Sequence, residues 1–156
     1  RVSKCFARRG TVSAFDFYMI ITWKSNRTIT TVQKGLQADG RSASQLMSEV
    51  AKIKDDRDKM RRLDAIRGID IAIASAILTV CYPDRFTVLD YRAWGTLQEF
   101  GRVLHPKMPT GIAGYFDEYL PHCKCLANDM RMSLRELDRT LWGWSKRRDI
   151  LRVARA

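Results

Sequence analysis

Residues 63–94 read Leu-Asp-Ala-Ile-Arg-Gly-Ile-Asp-Ile-Ala-Ile-Ala-Ser-Ala-Ile-Leu-Thr-Val-Cys-Tyr-Pro-Asp-Arg-Phe-Thr-Val-Leu-Asp-Tyr-Arg-Ala-Trp. Leu63 ends an amphipathic run, and Arg67-Gly68-Ile69-Asp70 interrupts it. Ile71 to Val80 is apolar on every side, which predicts a helix buried all round. Tyr82-Pro83-Asp84-Arg85 carries turn chemistry, and Phe86-Thr87-Val88-Leu89 predicts a short extended piece. Asp90 then stands where an N-cap belongs, ahead of Ala93, Trp94, Leu97 and Phe100. A glycine turn at a helix start points backbone N–H groups outward from the positive end of the dipole. That arrangement suits a phosphate and reads no base.

On either side of this stretch the periodicity is helical. Ser13 predicts the cap of a helix carrying Phe15, Tyr18, Met19 and Trp23 toward a core and ending near Ser25-Asn26. The β-branched run 28–32 fits either a short extended piece or part of a second helix, and Asp39-Gly40 marks a turn. Ser42-x-x-Gln45 reads as a capping box opening a helix with Leu46, Val50, Ile53, Met60 and Leu63 on one face. Lys54-Asp55-Asp56-Arg57-Asp58-Lys59 reads as its solvated face. Residues 101–114 predict loop, and Tyr115 to Cys125 a helix broken at first by Pro121. Ser133-x-x-Glu136 is a second capping box, opening a last helix with Leu134, Leu137, Leu141 and Trp144 inward. The reading is all-α: a compact multi-helix single domain over 1–156, with a helix-hairpin-helix region at 44–81 and an aspartate-bearing segment at 86–100.

Length and composition agree with a globular domain. A chain of 156 residues with 46% hydrophobic and 29% charged content buries roughly 70% of its unfolded surface without needing a disulfide or a metal. The uncharged stretch from Ile71 to Pro83 is too short to span a bilayer, and no membrane association is expected. No signal-peptide pattern opens the chain. It begins at Arg1 rather than Met, which leaves room for residues ahead of it. The formal charge is +11, unevenly spread: residues 1–34 carry +6, residues 131–156 carry +5, and 35–130 sum to zero. If the two basic ends share a face, that face binds polyanions; a merely solubilising excess is the alternative.

Cys5, Cys81, Cys123 and Cys125 form no secretory framework, so a reduced, cytoplasmic protein is expected. His122-Cys123-Lys124-Cys125 has the look of half a metal site, but no second half follows, and His105 and Cys5 lack ligand spacing. No metal and no cofactor is expected.

At Leu63 to Trp94 the chain resembles the helix-hairpin-helix DNA glycosylase superfamily, whose members include endonuclease III-like enzymes. The family hairpin runs Leu-Pro-Gly-Val-Gly, followed by an apolar helix of small residues and later by Val-Asp. Ile66-Arg67-Gly68-Ile69-Asp70 matches the hairpin, Ala72-Ile73-Ala74-Ser75-Ala76 the helix, and Leu89-Asp90 the aspartate position, twenty-two residues after Gly68. The resemblance covers about thirty residues and is loose elsewhere. It implies DNA as partner, with Arg67, Gly68, Ile69 and Asp70 at the backbone and Asp90 as the catalytic carboxylate.

Three departures qualify what it implies. Arg67 replaces the hairpin proline, and Asp70 replaces the second glycine. An aspartate there caps the next helix but sets negative charge where a phosphate would lie. Strand-cutting members carry a lysine where this chain has Ala72, so no amine is available for a Schiff base with the sugar. The cysteine-ligated iron–sulfur loop of some members is also missing.

In the glycosylase reading, Asp90 stabilises positive charge on the deoxyribose as a flipped base departs, or activates water. Trp23, Tyr91, Trp94, Trp142 and Trp144 are the candidate walls of a base pocket. In the competing reading Asp90 is only a helix cap. Trp23, Lys24 and Arg27 at a helix end, Arg92, and Lys146 in the Lys146-Arg147-Arg148 run are the further candidate DNA contacts, and each has an ordinary local alternative. Three functions stay open: a monofunctional base-excision enzyme, a non-catalytic DNA-gripping module, and a scaffold using an apolar patch at Tyr115, Phe116 and Tyr119.

Overall fold

A computed structural model describes residues 2–103 and 107–155; His105 lies outside the described residues. Among the described residues every regular element is helical. The chain divides into two compact units, Arg1–Phe86 and Thr87–Ala156.

The first unit holds α1 (Val2–Arg9), α2 (Ala14–Lys24), α3 (Ile29–Asp39), α4 (Ala43–Lys52), α5 (Asp56–Asp64) and α6 (Ile71–Cys81). α6 is its centre, with only Ala72 and Val80 short of full burial, and α1, α2 and α5 pack on it. The all-round apolar reading of this segment holds because three neighbouring helices cover it. α1 had no signal in the expected pattern. The β-branched run 28–32 resolves as the opening of α3.

Three expectations change here. α2 is capped by Ser13 as its sequence predicts, but it turns Phe17, Ile20 and Ile21 inward. Phe15, Met19 and Trp23 face outward, 73%, 51% and 58% exposed. This helix is apolar on two sides, so periodicity alone chooses no single stripe. The helix expected over 42–63 is two helices, because Ile53 is extended and Asp55 accepts a hydrogen bond from the Asp58 N–H to start α5. The charged run is not a solvated face throughout. Lys59 is buried, donates to the Ile53 carbonyl and lies 5.5 Å from the Tyr82 ring centre. Burial, more than the nearby Arg85, pushes its pKa down.

The second unit holds α7 (Tyr91–Glu99), α8 (Gly111–Ala113), a π-helical stretch (Gly114–Tyr119), α9 (Leu120–Asp129) and α10 (Leu134–Ala154). Pro121 does not break the helix. It falls in the first turn of α9, where a missing N–H is tolerated, and the wider preceding turn lets Leu120 N–H reach the Tyr115 carbonyl. α10 packs on α7 and α9, and the Thr96 hydroxyl bridges α7 to the Leu141 carbonyl at 3.1 Å. Leu134, Leu137 and Leu141 are buried, but Trp144 is 40% exposed. Further along α10, Ile150, Leu151 and Val153 are exposed as well, while Arg148 and Asp149 still pair with Glu99 and Arg92 on α7.

Candidate functional site

A short turn, Ala65–Asp70, the segment expected to form the hairpin, joins α5 to α6. Ile66 N–H bonds to the Leu63 carbonyl at 3.0 Å and Ile69 N–H to the Ile66 carbonyl at 2.9 Å, which closes the turn on itself. Gly68 sits at φ +93°, a left-handed conformation that a side chain strains. A Cβ there would come within 2.9 Å of the Val32 nitrogen and 3.0 Å of Thr31, and one on Gly35 would meet the Arg67 carbonyl oxygen at 2.3 Å. The hairpin backbone therefore runs along α3, from Gly35 at Arg67 toward its first turn at Gly68.

This packing gathers several of the sequence-singled residues. The first turn of α3 begins two residues after Arg27, so the Trp23-Lys24-Ser25-Asn26-Arg27 corner leads into the turn on which Gly68 packs, while Arg67 sits further along α3 beside Gly35. Arg27 and Arg67 are exposed, Lys24 is half-buried and Ile69 is buried. Thr28 heads α3 without a side-chain cap, since its hydroxyl donates to the Ser25 carbonyl instead. Asp70 caps α6, accepting from Ile73 N–H at 2.9 Å. Its charge and that of Asp64 flank the turn. Partial burial and then Asp70 push the Asp64 carboxyl above its ordinary value.

At the start of the second unit the segment 87–90 forms no strand, yet it is firmly held. The Tyr115 hydroxyl donates to the Thr87 carbonyl at 2.7 Å and accepts from Thr87 N–H at 3.1 Å. One turn on, the Tyr119 hydroxyl donates to the Val88 carbonyl at 2.7 Å. Both tyrosines are fully buried, so they supply no exposed docking patch; the polar backbone of an unpaired segment draws them inward. Asp90 ends this segment half-buried and caps α7, accepting from Arg92 N–H at 2.8 Å. Trp94, one turn further, is 2% exposed, and its indole N–H has no hydrogen-bond partner among the described residues.

Arg92 is engaged locally. It pairs with Asp149 on α10, donates to the Ser145 hydroxyl at 3.3 Å, and holds the Asp149 carboxyl below its ordinary range. Lys146 is half-buried, 5.4 Å from the Trp142 ring centre. Of the candidate pocket aromatics, Trp23, Tyr91, Trp142 and Trp144 are exposed and only Trp94 is enclosed.

The sequence reading missed a basic groove of about 300 Å³ on α10, where Arg147, Arg148, Arg152 and Arg155 surround Trp144 and Glu99. The spacing of Arg148, Arg152 and Arg155 by four and three residues was the available signal. The His122–Cys125 run does not converge: Cys123 is buried, Cys125 is exposed, and a His122 ring nitrogen lies 2.6 Å from the Glu118 carbonyl. Among the described residues no three potential ligands cluster. Burial pushes the Cys81 and Cys123 thiols up to about 12, far from reactive thiolates. No described helix is long and apolar enough to cross a membrane.

Compared with known proteins, the chain matches no family model, no curated protein and no solved structure.

Proposed function

We propose that the protein is a DNA-binding module that grips the phosphate backbone through the α5–α6 hairpin and the adjoining α2–α3 corner. The carrying observation is the backbone-to-backbone seat of Arg67 and Gly68 on α3, with Gly68 against the first turn that follows an exposed Arg27 and an exposed Arg67 further along the helix beside Gly35. Phosphates there meet cations and the start of α3, which has no side-chain cap, whereas the start of α6 is taken by Asp70; no groove-reading side chain is required. The resemblance of Ile66–Asp70 to the helix-hairpin-helix pattern points the same way. Four unpaired cysteines, two of them buried, favour a reducing compartment such as the cytoplasm.

A labelled duplex titrated at several salt concentrations tests this. Binding should weaken steeply with salt, and Arg27→Gln with Arg67→Gln should flatten the slope by roughly one unit per lost phosphate contact. A slope unchanged in both variants, or no binding at low salt, sinks the reading.

A second reading adds base excision by Asp90. What favours it is a half-buried carboxylate held in place by the tyrosine-pinned segment, one turn from the unpartnered Trp94 indole N–H. A duplex bearing a cationic pyrrolidine abasic analogue mimics the charged sugar of that reaction. The reading requires a marked preference for this duplex over an undamaged one, lost in Asp90→Asn. Equal binding to both removes it and leaves the backbone grip.

A further inference from the structure

The second unit carries two adjoining concavities that share a wall. One, of about 470 Å³, is floored by buried Leu126, Leu137 and Leu141 and rimmed by exposed Phe100, Met130 and Trp144. The other is the arginine groove of about 300 Å³ on α10. Trp144 lines both, its ring centre 5.3 Å from that of Phe100, and the Arg147 guanidinium stands 5.8 Å from the Trp144 ring centre. An apolar chamber thus opens directly beside a cationic shelf.

The charges on that shelf are unbalanced. Glu99 is its one acid, and Arg148 neutralises it at 2.7 Å. Arg147, Arg152 and Arg155 have no acidic partner among the described residues. The Arg148 Nε–H is buried without a hydrogen-bond partner among the described residues. The larger chamber has the size of a small-molecule site, and its few polar groups are already used: Thr96 bonds backbone carbonyls and Arg102 pairs with Asp129. A nucleobase would leave its polar edge unmet there, whereas a hydrocarbon would not.

We infer that the second unit binds a small anionic amphiphile, its hydrocarbon body in the chamber behind Trp144 and its phosphate or carboxylate head on Arg147, Arg152 and Arg155. This inference is independent of the DNA reading, which rests on the hairpin of the first unit. Calorimetric titration of the full chain with decyl phosphate below its micellar concentration, and separately with decanol and inorganic phosphate, measures it. Decyl phosphate should bind at one site, at least roughly tenfold tighter than either half-ligand alone. Arg147→Gln with Arg152→Gln should bring decyl phosphate down to decanol's affinity while leaving decanol unchanged. Thr140→Phe, at the exposed chamber mouth, should weaken decyl phosphate and decanol together. Decyl phosphate no tighter than phosphate overturns the chamber's role, and no tighter than decanol overturns that of the arginines. Displacement by an undamaged duplex would assign the shelf to nucleic acid instead. A concentration-dependent dimer abolished by Thr140→Phe would assign the chamber to a second copy.

Discussion

A Cβ placed on Gly35 would lie 2.3 Å from the carbonyl oxygen of Arg67, so α3 and the α5–α6 hairpin meet backbone to backbone. Glycine is unfavourable inside a helix, and an ordinary Gly→Ala change there stabilises by about 0.5–1 kcal/mol. Here the clash wins, because backbone cannot yield as a flexible side chain does. Gly35→Ala should destabilise the protein by about 1–3 kcal/mol in urea unfolding. Gly143→Ala on α10 is the control, since a Cβ there meets nothing within 4 Å and should raise stability. Equal effects of the two substitutions would contradict the close seat of the hairpin.

Tyr115 and Tyr119 satisfy the backbone of the segment leading to Asp90, and no water can replace a lost partner at fully buried sites. Tyr119→Phe strands the Val88 carbonyl and should cost about 1–3 kcal/mol. Tyr115→Phe strands both the N–H and the carbonyl of Thr87, so it should cost more. Chemical denaturation of the two variants checks the order.

Asp90 caps α7 whatever else it does. Asp90→Ala should therefore lose about 0.5–2 kcal/mol, while Asp90→Asn keeps an accepting oxygen and should stay within a few tenths of wild type. Thermal unfolding of both variants tests this. It also establishes that Asp90→Asn is a folded protein in any assay of base excision.

Arg62 on α5 joins Asp39 at the end of α3 to Glu49 on α4, at 2.7 and 2.9 Å, and Arg41 reinforces both carboxylates. Hydrogen bonding to Arg62 pulls Asp39 below its ordinary 3.8, and bonding to Arg41 and then Arg62 pulls Glu49 below its ordinary 4.5. Folded carboxyl groups with depressed pKa values contribute stability that is present above their ordinary values and lost as pH falls through the folded ones. Stability should begin to fall near pH 4.5 and continue below 3.8. Arg62→Met should lower stability at neutral pH and flatten that acid slope. An unaltered slope would show that the network carries no such linkage.

Much of the fold was legible because its signals are local. Ser13, Ser42, Asp70, Asp90 and Ser133 each cap the helix their sequence context announces, and α6 is buried as its composition requires. What could not be read depended on competition between surfaces. α2 has two apolar sides, and the packing of α3, α4 and α6 selects Phe17, Ile20 and Ile21 over Phe15, Met19 and Trp23. The split at Ile53 was hidden because Val50, Met60 and Leu63 all remain buried across it. Lys59 read as solvated because nothing local reveals the Ile53 carbonyl and Tyr82 ring that receive it. At the candidate site, the break between helices was visible as Arg67–Asp70, but the seat of that turn on α3 depends on Gly35, a residue with no motif around it. The arginine groove was legible only as basic residues spaced along α10, since Glu99 and Trp144 frame it only after α7 and α10 pack.

The proposed grip on DNA backbone rests on the hairpin seated on α3. Amide chemical-shift mapping of the ¹⁵N-labelled full chain during titration with an undamaged duplex tests it most directly. Salt-sensitive shifts should concentrate at residues 67–72 and 24–31. Shifts that spare both segments while appearing elsewhere, or no shifts at low salt, would contradict it.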